Sequence, residues 1–504
     1  MHLGKDPEIL LCEDAIFMKK FLQRQIPLLL VVSVLVALFI APVHASAQIT
    51  SGTQQVDVGG STRSANLIWV DLSNPNIRVQ NAIPNNRLLT AAPLGTIAES
   101  TRQPGDRAIA AVNGYYFDPV GTGYTGSNNF YGIIKNGGNF IQTSGSNVVM
   151  GFTPDNDVRL GTVDLTVRVH RENAGRGEPP MIAWSLNHAF GDAGARSVYT
   201  SAFGARTPSN TARSIVVRNG VVTDIVNGPA PIHADGFTIA GNSNAPSAND
   251  PMFRYLIGER AWFTVDYSDQ TWRNYSTMIA GGPILVEGGN IRTDLMEQGY
   301  NAPIVNNSLQ RSFIGITADR RLFMGTVSNV TMAGLARAAQ SLGAVYAMNL
   351  DGGASSGLYL NGSYITRPGR NIVTAIVFAE GETPAVPITV LLNGEALSFD
   401  VPAQMINNRV MLPMRGIFEA MGAEVRWNGE TQTVTATKDN TTVAFTIGSS
   451  YPTVNGVTVP IDQPGVIVRG TTLAPLRFVA EAFGGSVRWD GEARTAQITM
   501  QPSR

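Results

Sequence analysis

Cysteine is almost missing from this 504-residue chain, and the single one is Cys12, near the start. With no other cysteine there is no disulfide framework and no thiolate zinc site. Histidine is nearly as scarce. The three beyond residue 47, His170, His188 and His233, fall at irregular spacing that fits neither a metal site nor a catalytic triad. No histidine or cysteine follows Ala379, so the C-terminal region lacks the soft ligands that copper needs, and copper is not expected. Excess charge is absent too. There are 37 basic against 38 acidic side chains, and no Lys/Arg run occurs beyond the N-terminal stretch, which argues against a nucleic-acid partner. Serine-hydrolase and phosphate-loop signatures do not occur.

What the chain does have is length and glycine. At 504 residues it is too long for one ordinary core, and its 52 glycines with few helix-type charge patterns favour β structure with many turns. Lys19, Lys20 and Arg24 precede an apolar stretch over residues 26–43, and Ala45-Ser46-Ala47 supplies a small-x-small cleavage site. This predicts a signal peptide over residues 1–47, with Met18 as an alternative start. At about 18 residues the stretch also approaches a membrane span, so an uncleaved anchor stays open. Export without disulfides fits a secreted or cell-surface bacterial protein.

Residues 381–387 combine Pro384 and Pro387 with Glu382 and read as a linker. Beyond it, over residues 388–500, the sequence repeats at an offset of 62 positions. Leu392-Asn393-Gly394 returns as Val454-Asn455-Gly456, Pro413-Met414-Arg415 as Pro475-Leu476-Arg477, and Val425-Arg426-Trp427-Asn428-Gly429 as Val487-Arg488-Trp489-Asp490-Gly491. Such spacing marks a duplicated supersecondary unit. Each copy predicts an Asn-Gly hairpin, a short helix (residues 413–421 and 475–483) and a closing strand–turn–strand. These units resemble the stalk repeats of bacterial surface proteins, similar to the N-terminal domain of copper amine oxidases. The resemblance implies non-covalent association of residues 388–500 with the cell wall.

Residues 51–380 read as one β-rich domain. Alternating apolar patterns predict strands over 66–72, 77–82, 108–112, 214–218, 321–327, 344–350, 357–360 and 372–378. A helix is predicted from the N-cap Thr331 to Leu342, and a weaker one over 93–101. The expected class is α+β with a mostly antiparallel sheet and few helices, followed by the smaller duplicated α+β region.

Four short segments punctuate these strands: Asn113-Gly114-Tyr115-Tyr116-Phe117, Gly281-Gly282-Pro283, Arg311-Ser312-Phe313-Ile314-Gly315 and Asn349-Leu350-Asp351-Gly352-Gly353-Ala354-Ser355. Asp351 at a strand end before two glycines suits a general base or a metal ligand; an ordinary Asp-Gly turn is the alternative. Arg311 before an apolar strand suits a phosphate. Asn113 could aim an amide from a strand end, and Gly281 and Gly282 could bring backbone N–H groups to an anion. Gly114, Tyr116, Asn349, Gly352, Gly353 and Ser355 accompany them as candidate substrate contacts. His233 is the best placed of the three histidines, in a proline-rich loop.

In this order the four segments resemble the phosphodiester glycosidase family, whose pattern runs Asn-Gly-Gly-Phe-Phe, Gly-Gly-Pro, Arg-Thr-Ala-Ile-Gly and Asn-Leu-Asp-Gly-Gly-Gly-Ser. That family includes the enzyme that removes a covering N-acetylglucosamine from mannose 6-phosphate. Tyr115 and Ala354 stand where the pattern has glycine, adding bulk beside the expected site. The resemblance implies hydrolysis of sugar-1-phosphodiester linkages in a glycoconjugate or envelope polysaccharide. It implies Asp351, Arg311 and Asn113 as catalytic residues, with calcium or magnesium as a cation that Asp351 could hold. The motifs identify no second carboxylate; Asp118 is the candidate because it adjoins the Asn113 segment. The rival is a surface protein that binds envelope glycopolymer without turnover.

Overall fold

Strict alternation in the Leu309–Thr317 strand decides the central architecture. Ile314 and Ile316 point to one side, and Phe313 to the other. The same division holds in Arg321–Val330, where Leu322 and Met324 oppose Phe323 and Val327, and in Thr62–Asp71, where Ile68 and Val70 oppose Leu67. Period-two side chains thus give these strands two buried faces. They belong to a seven-stranded sheet in the order Ile49–Asp57, Thr62–Asp71, Arg321–Val330, Leu309–Thr317, Ala344–Asn349, Ile284–Glu287 and Asn290–Ile291. Gly315 and Gly325 lie where a Cβ would meet the Phe323 and Phe313 rings at 2.4 Å, so the aromatic packing requires the missing side chains.

The structure, a computed structural model, describes residues 49–500 apart from 104, 121–128, 145–146, 176, 190–193, 243–249, 382–387, 400, 407–408, 469 and 492. The expected signal peptide and most of the expected linker lie outside the described residues. Among those described, no helix is long and apolar enough to cross a membrane.

A second sheet faces the first, in the order Ser363–Thr366, Leu358–Leu360, Ala108–Asn113, Ala375–Glu380 and Ile77–Ala82. Ala110, Val112, Ile376 and Phe378 meet Ile314, Met324 and Met348 in the core between the sheets. Helices cover the outer faces. Met332–Ser341 covers the seven-stranded sheet with Leu335, Ala338 and Ala339, and its N-cap Thr331 accepts the Gly334 N–H at 3.2 Å. Leu94–Glu99 covers the five-stranded sheet with Leu94, Ile97 and Ala98. The fold is α+β, rich in strands and mostly antiparallel, as the sequence predicts. One strand differs from its expectation: residues 372–374 fall outside Ala375–Glu380, because Ile372 leaves the ladder to pair with Ala92.

Further sheets extend this core. Val148–Phe152, Thr277–Ala280 and Ile134–Asn136 are neighbours in another five-stranded sheet. Ala261–Tyr267 forms the edge of a three-stranded sheet with Leu165–Arg171 and Met181–Ala183.

The duplicated region builds a core of its own around Leu412, Ile417, Phe418, Phe445, Phe478 and Val479. Its helices are Met414–Ala420 and Leu476–Glu481. The strand Arg409–Pro413 pairs antiparallel with its own copy, Thr471–Pro475, with Leu412 opposite Ala474, the residue 62 positions later. The two copies are therefore related by a local two-fold axis through that pair. The copies also exchange strands. Thr389–Leu392 of the first lies parallel to Thr495–Met500 of the second, while Thr433–Lys438 shares a sheet with Thr453–Val454.

Candidate active site

The facing sheets bring two strand ends together. Asn113 ends the middle strand of the five-stranded sheet, and Asn349 ends Ala344–Asn349 in the seven-stranded one. Asn113 is buried and every hydrogen-bonding position of its amide is engaged. Nδ2 donates to the Asp351 carbonyl at 2.8 Å and the Gly114 carbonyl at 3.1 Å, while Oδ1 accepts from Ser312 Oγ at 2.7 Å and Gly357 N at 3.0 Å. One amide thus ties together the 113–114 turn, the Leu309–Thr317 strand and both ends of the 351–357 turn. This corrects the expectation of a substrate-facing Asn113: it has no free donor or acceptor, so it positions the site.

Arg311 is similarly committed. A bulge between Leu309 and Arg311 re-aims the side chain inward, where Nε donates to the Val330 carbonyl at 3.2 Å. Nη2 donates to the carbonyls of Ile304 and Asn307, both at 2.7 Å. Only Nη1 has no partner among the described residues. The expected bidentate phosphate clamp is reduced to one nitrogen, because the guanidinium holds the 304–307 segment against its strand. Burial lowers its pKa, and the nearby Tyr116 opposes that.

Gly281 and Gly282 do not offer their N–H groups to an anion. Gly281 N donates to the Val148 carbonyl at 3.1 Å and Gly282 N to the Asn349 carbonyl at 2.8 Å. Their lack of side chain has a packing cause: a Cβ would meet the Met348 sulfur at 2.3 Å or the Tyr300 hydroxyl at 2.1 Å. Gly114 is likewise fixed by Thr374, whose Oγ1 would lie 1.9 Å from a Cβ.

Asp351 is the carboxylate that faces a crevice lined by Gly114, Tyr115, Phe117, Ser355 and Thr374. Burial raises its pKa to about 6. Ser355, the Gly352 N–H and Arg370 pull the other way. The Gly352 N–H is 2.9 Å from Oδ1. Ser355 Oγ lies beside the carboxylate and favours its charged form, but it falls short of hydrogen-bond geometry with any described group. Thr374 Oγ1 and Asn349 Oδ1 are also buried without partners. Two of these atoms, Ser355 Oγ and Thr374 Oγ1, belong to residues that line the crevice with this carboxyl of near-neutral pKa. Each such atom costs about 1–3 kcal/mol if nothing satisfies it, and a pair kept beside one titratable group calls for a functional reason.

Tyr116 joins this group. Asn349 Nδ2 donates to its hydroxyl at 3.2 Å. Burial first, then Asp351, raises the phenol to about 12, so it stays a proton donor. Above the turn, Gly353 (φ 61°) opens onto free space, so its backbone is approachable.

Sequence reasoning missed two contributors. Arg370 is exposed, acts on the Asp351 charge and places its guanidinium 5.9 Å from the centre of the Phe117 ring. Its loop is held by the Gly369 N–H, which donates to the Ala354 carbonyl at 2.8 Å. Thr374 was read only as part of a strand. The Arg-Pro-Gly-Arg turn after Thr366 is the one signal that could have pointed to Arg370.

Two expected residues lie aside. Asp118 is half-buried and accepts the Val120 N–H at 3.0 Å; its neighbour Phe117, not Asp118, lines the crevice. His233 sits before the Gly236–Gly241 strand, and no hydrogen bond, ion pair or ring contact joins it to Asp351. The residues present do not fit a protein-held cation. Asp351 is the single carboxylate lining the crevice, and no three His, Cys, Asp or Glu side chains cluster among the described residues.

Tyr115, where the family pattern has glycine, fills rather than opens the site. Its hydroxyl lies 2.6 Å from that of Tyr300, and its ring meets Tyr116 edge to face at 4.7 Å.

Parts of the chain are similar to known proteins. Residues 211–379 match the family model described as phosphodiester glycosidase. The matched segment holds Gly281–Pro283, Arg311 and Asp351, and it begins after the Asn113 segment. Residues 391–498 match the model described as the copper amine oxidase N-terminal domain. No curated protein matches the chain. Among solved structures, a hypothetical protein from Synechocystis is 21% identical with a TM-score of 0.58. The alignment covers 67% of this chain and 63% of that protein, so this chain spans less than two thirds of its length. A protein from Burkholderia pseudomallei K96243, described as exported, is 16% identical with a TM-score of 0.52, covering 63% of this chain and 74% of that one. The catalytic domain of zebrafish N-acetylglucosamine-1-phosphodiester alpha-N-acetylglucosaminidase is 16% identical with a TM-score of 0.37, covering 68% and 85%. The first two likenesses concern the fold alone.

Proposed function

We propose that the chain is an exported hydrolase that cleaves sugar-1-phosphodiester linkages in a glycoconjugate or envelope polysaccharide, with Asp351 as its acid–base group. The observation that carries this is the buried Asp351 carboxyl, raised to about 6, in a crevice that Ser355 and Thr374 also line with buried hydroxyls. A carboxyl poised near neutrality can take a proton from water and return it to a leaving oxygen. The phosphodiester charge would rest on Arg370, Arg311 Nη1 and the approachable backbone at Gly353. Asn349 and Tyr116 would hold sugar hydroxyls. Water adds across the linkage, releasing one free sugar and one phosphomonoester. No step is assigned to a cation. The basic and apolar pattern of residues 19–47 supports export.

A second reading, glycopolymer binding without turnover, is favoured by one feature: Tyr115 stands in the crevice wall where the family pattern has glycine, narrowing the approach to Asp351. The two separate in one assay. The purified chain is incubated with UDP-N-acetylglucosamine and with aryl phosphodiesters of several sugars, beside Asp351→Asn. Sugar release by the parent chain alone supports hydrolysis. Equal release by both removes Asp351 from the chemistry, and binding with no release from any substrate supports the second reading.

A further inference from the structure

A second cavity, sharing no residue with the crevice at Asp351, opens at the seam between the β-rich region and the duplicated region. Its volume is about 270 Å³, and Phe140, Phe263, Asp266, Arg273 and Tyr451 are among its walls. The seam itself is well bonded. Asn139 Nδ2 donates to the Asp462 carbonyl at 2.8 Å, Ser450 Oγ donates to Asn139 Oδ1 at 3.2 Å, and Arg260 Nη2 donates to the Thr458 carbonyl at 3.0 Å. The cavity is therefore framed by fixed walls, not by a loose junction.

Three properties of the lining define what fits. First, four successive residues of the edge strand Ala261–Tyr267, 263 to 266, line it. Successive side chains point to opposite faces, so the strand presents its open backbone edge to the cavity. Secondly, the walls carry ring surfaces: Phe263 and Tyr451 meet at 6.1 Å, with Phe140 alongside. Thirdly, one cation and one anion keep unused capacity. Arg273 directs Nε to Gln270 and Nη1 to the Ile447 carbonyl, and Nη2 has no partner among the described residues. Asp266 binds Arg168 through Oδ2 at 2.8 Å, leaving Oδ1 without a partner among them.

A single Arg with a single Asp in the lining favours a ligand without net charge. Ring faces favour a body with exposed C–H surfaces, and the free Nη2 and Oδ1 favour groups that both donate and accept. An uncharged pyranose meets all three conditions. An extended peptide does not, because the Tyr451 ring packs against Phe263 beside that edge and stands in the way of strand addition. The size limits the ligand to one ring: 270 Å³ falls just below the range of ligand pockets, which starts at about 300 Å³. Junctions between regions are a common place for such sites.

We propose that this seam cavity binds one uncharged pyranose unit of a glycan across the edge of the Ala261–Tyr267 strand, packed against Phe263, Phe140 and Tyr451 on one side and hydrogen-bonded by Asp266 from the other face and by Arg273. It would hold a glycan chain away from Asp351, and it stands whether or not Asp351 hydrolyses anything.

The test uses the full chain carrying Asp351→Asn, so that turnover cannot interfere. N-acetylglucosamine, glucose, galactose and mannose are titrated by ligand-observed NMR and calorimetry, with glucosamine and glucuronic acid as charged controls. At least one neutral sugar binds with a dissociation constant of about 1 mM, the strength a ring-sized ligand reaches. Asp266→Asn weakens it about tenfold, with an unchanged melting temperature because that side chain is half exposed. Arg273→Gln weakens it as well. The proposal is overturned if no neutral sugar binds, if only the charged sugars bind, or if Asp266→Asn folds and binds as the parent does. Because binding is read directly, a negative result here leaves the hydrolytic assay untouched, and an inactive enzyme leaves this site untouched.

Discussion

The duplicated region and the Asp351 site use short polar motifs in opposite ways. In the duplicated region the Asn-Gly pairs close hairpins: Asn393 and Gly394 adopt φ of 52° and 90°, Asn455 and Gly456 of 50° and 77°. Their amides then accept backbone N–H groups, from Met500 at 2.8 Å and Thr442 at 2.7 Å. Among the described residues of that region, the buried side-chain atoms without partners are Gln432 Oε1 and Arg494 Nε, one in each copy and 62 positions apart. At Asp351, Ser355 Oγ and Thr374 Oγ1 belong to one crevice with a buried carboxyl. Orphans spread one to a copy go with packing in a repeat, whereas a pair gathered beside a titratable group points to function.

The sharpest way to break that comparison is Asp351→Asn. Turnover falls about 10³-fold, while stability moves the other way. The folded pKa of about 6 exceeds the ordinary 3.8, so burial penalises the charged form. The contribution of Asp351 to stability is highest below pH 4, declines as pH rises through 6 and is level beyond. The full penalty is about 3 kcal/mol. Denaturant unfolding at pH 5 and pH 8 should show the substitution stabilising the protein more at pH 8; no gain there would mean Asp351 is not a strained carboxylate.

Arg370→Ala lowers kcat/KM about 100-fold and shifts the acid limb of the pH–rate profile upward, since Arg370 holds the Asp351 pKa down. Its exposed side chain leaves stability within about 0.5 kcal/mol. An unmoved pH profile would detach Arg370 from the site. Asn113→Ala removes an amide with four partners and costs about 3 kcal/mol, read as a lower denaturation midpoint. Gly114→Ala costs about 1–3 kcal/mol through its clash with Thr374, and adding Thr374→Ala recovers part of that. The contrast is smallest in the duplicated region. Asp462→Asn breaks an exposed ion pair with Arg409 and changes stability by no more than about 0.5 kcal/mol.

Local patterns were legible in the chain itself. Alternation placed the 77–82 and 108–112 strands almost to the residue, and Thr331 and Gly343 bracketed the main helix, because these depend on neighbours within a few positions. Residue type also located the Asp351 turn. It could not say that the Arg311 guanidinium is committed to the 304–307 carbonyls or that Gly282 N–H is taken by Asn349, since those partners are set by tertiary register. Arg370 escaped notice for the converse reason: it reaches the site from a loop with little pattern of its own. Thr374 was hidden by the strand-like pattern of 372–378, which the chain does not follow before Ala375. The repeat likewise declared two similar units without saying which strand of each would pair with which.

That exchange of strands has a consequence for how the C-terminal region can be divided. Thr389–Leu392 finds its neighbour at Thr495–Met500, and Arg409–Pro413 finds its own at Thr471–Pro475. Cutting the chain between the copies strips two ladders at once and leaves bare backbone on both fragments. The gene carries two copies, but the folded object has only one indivisible part.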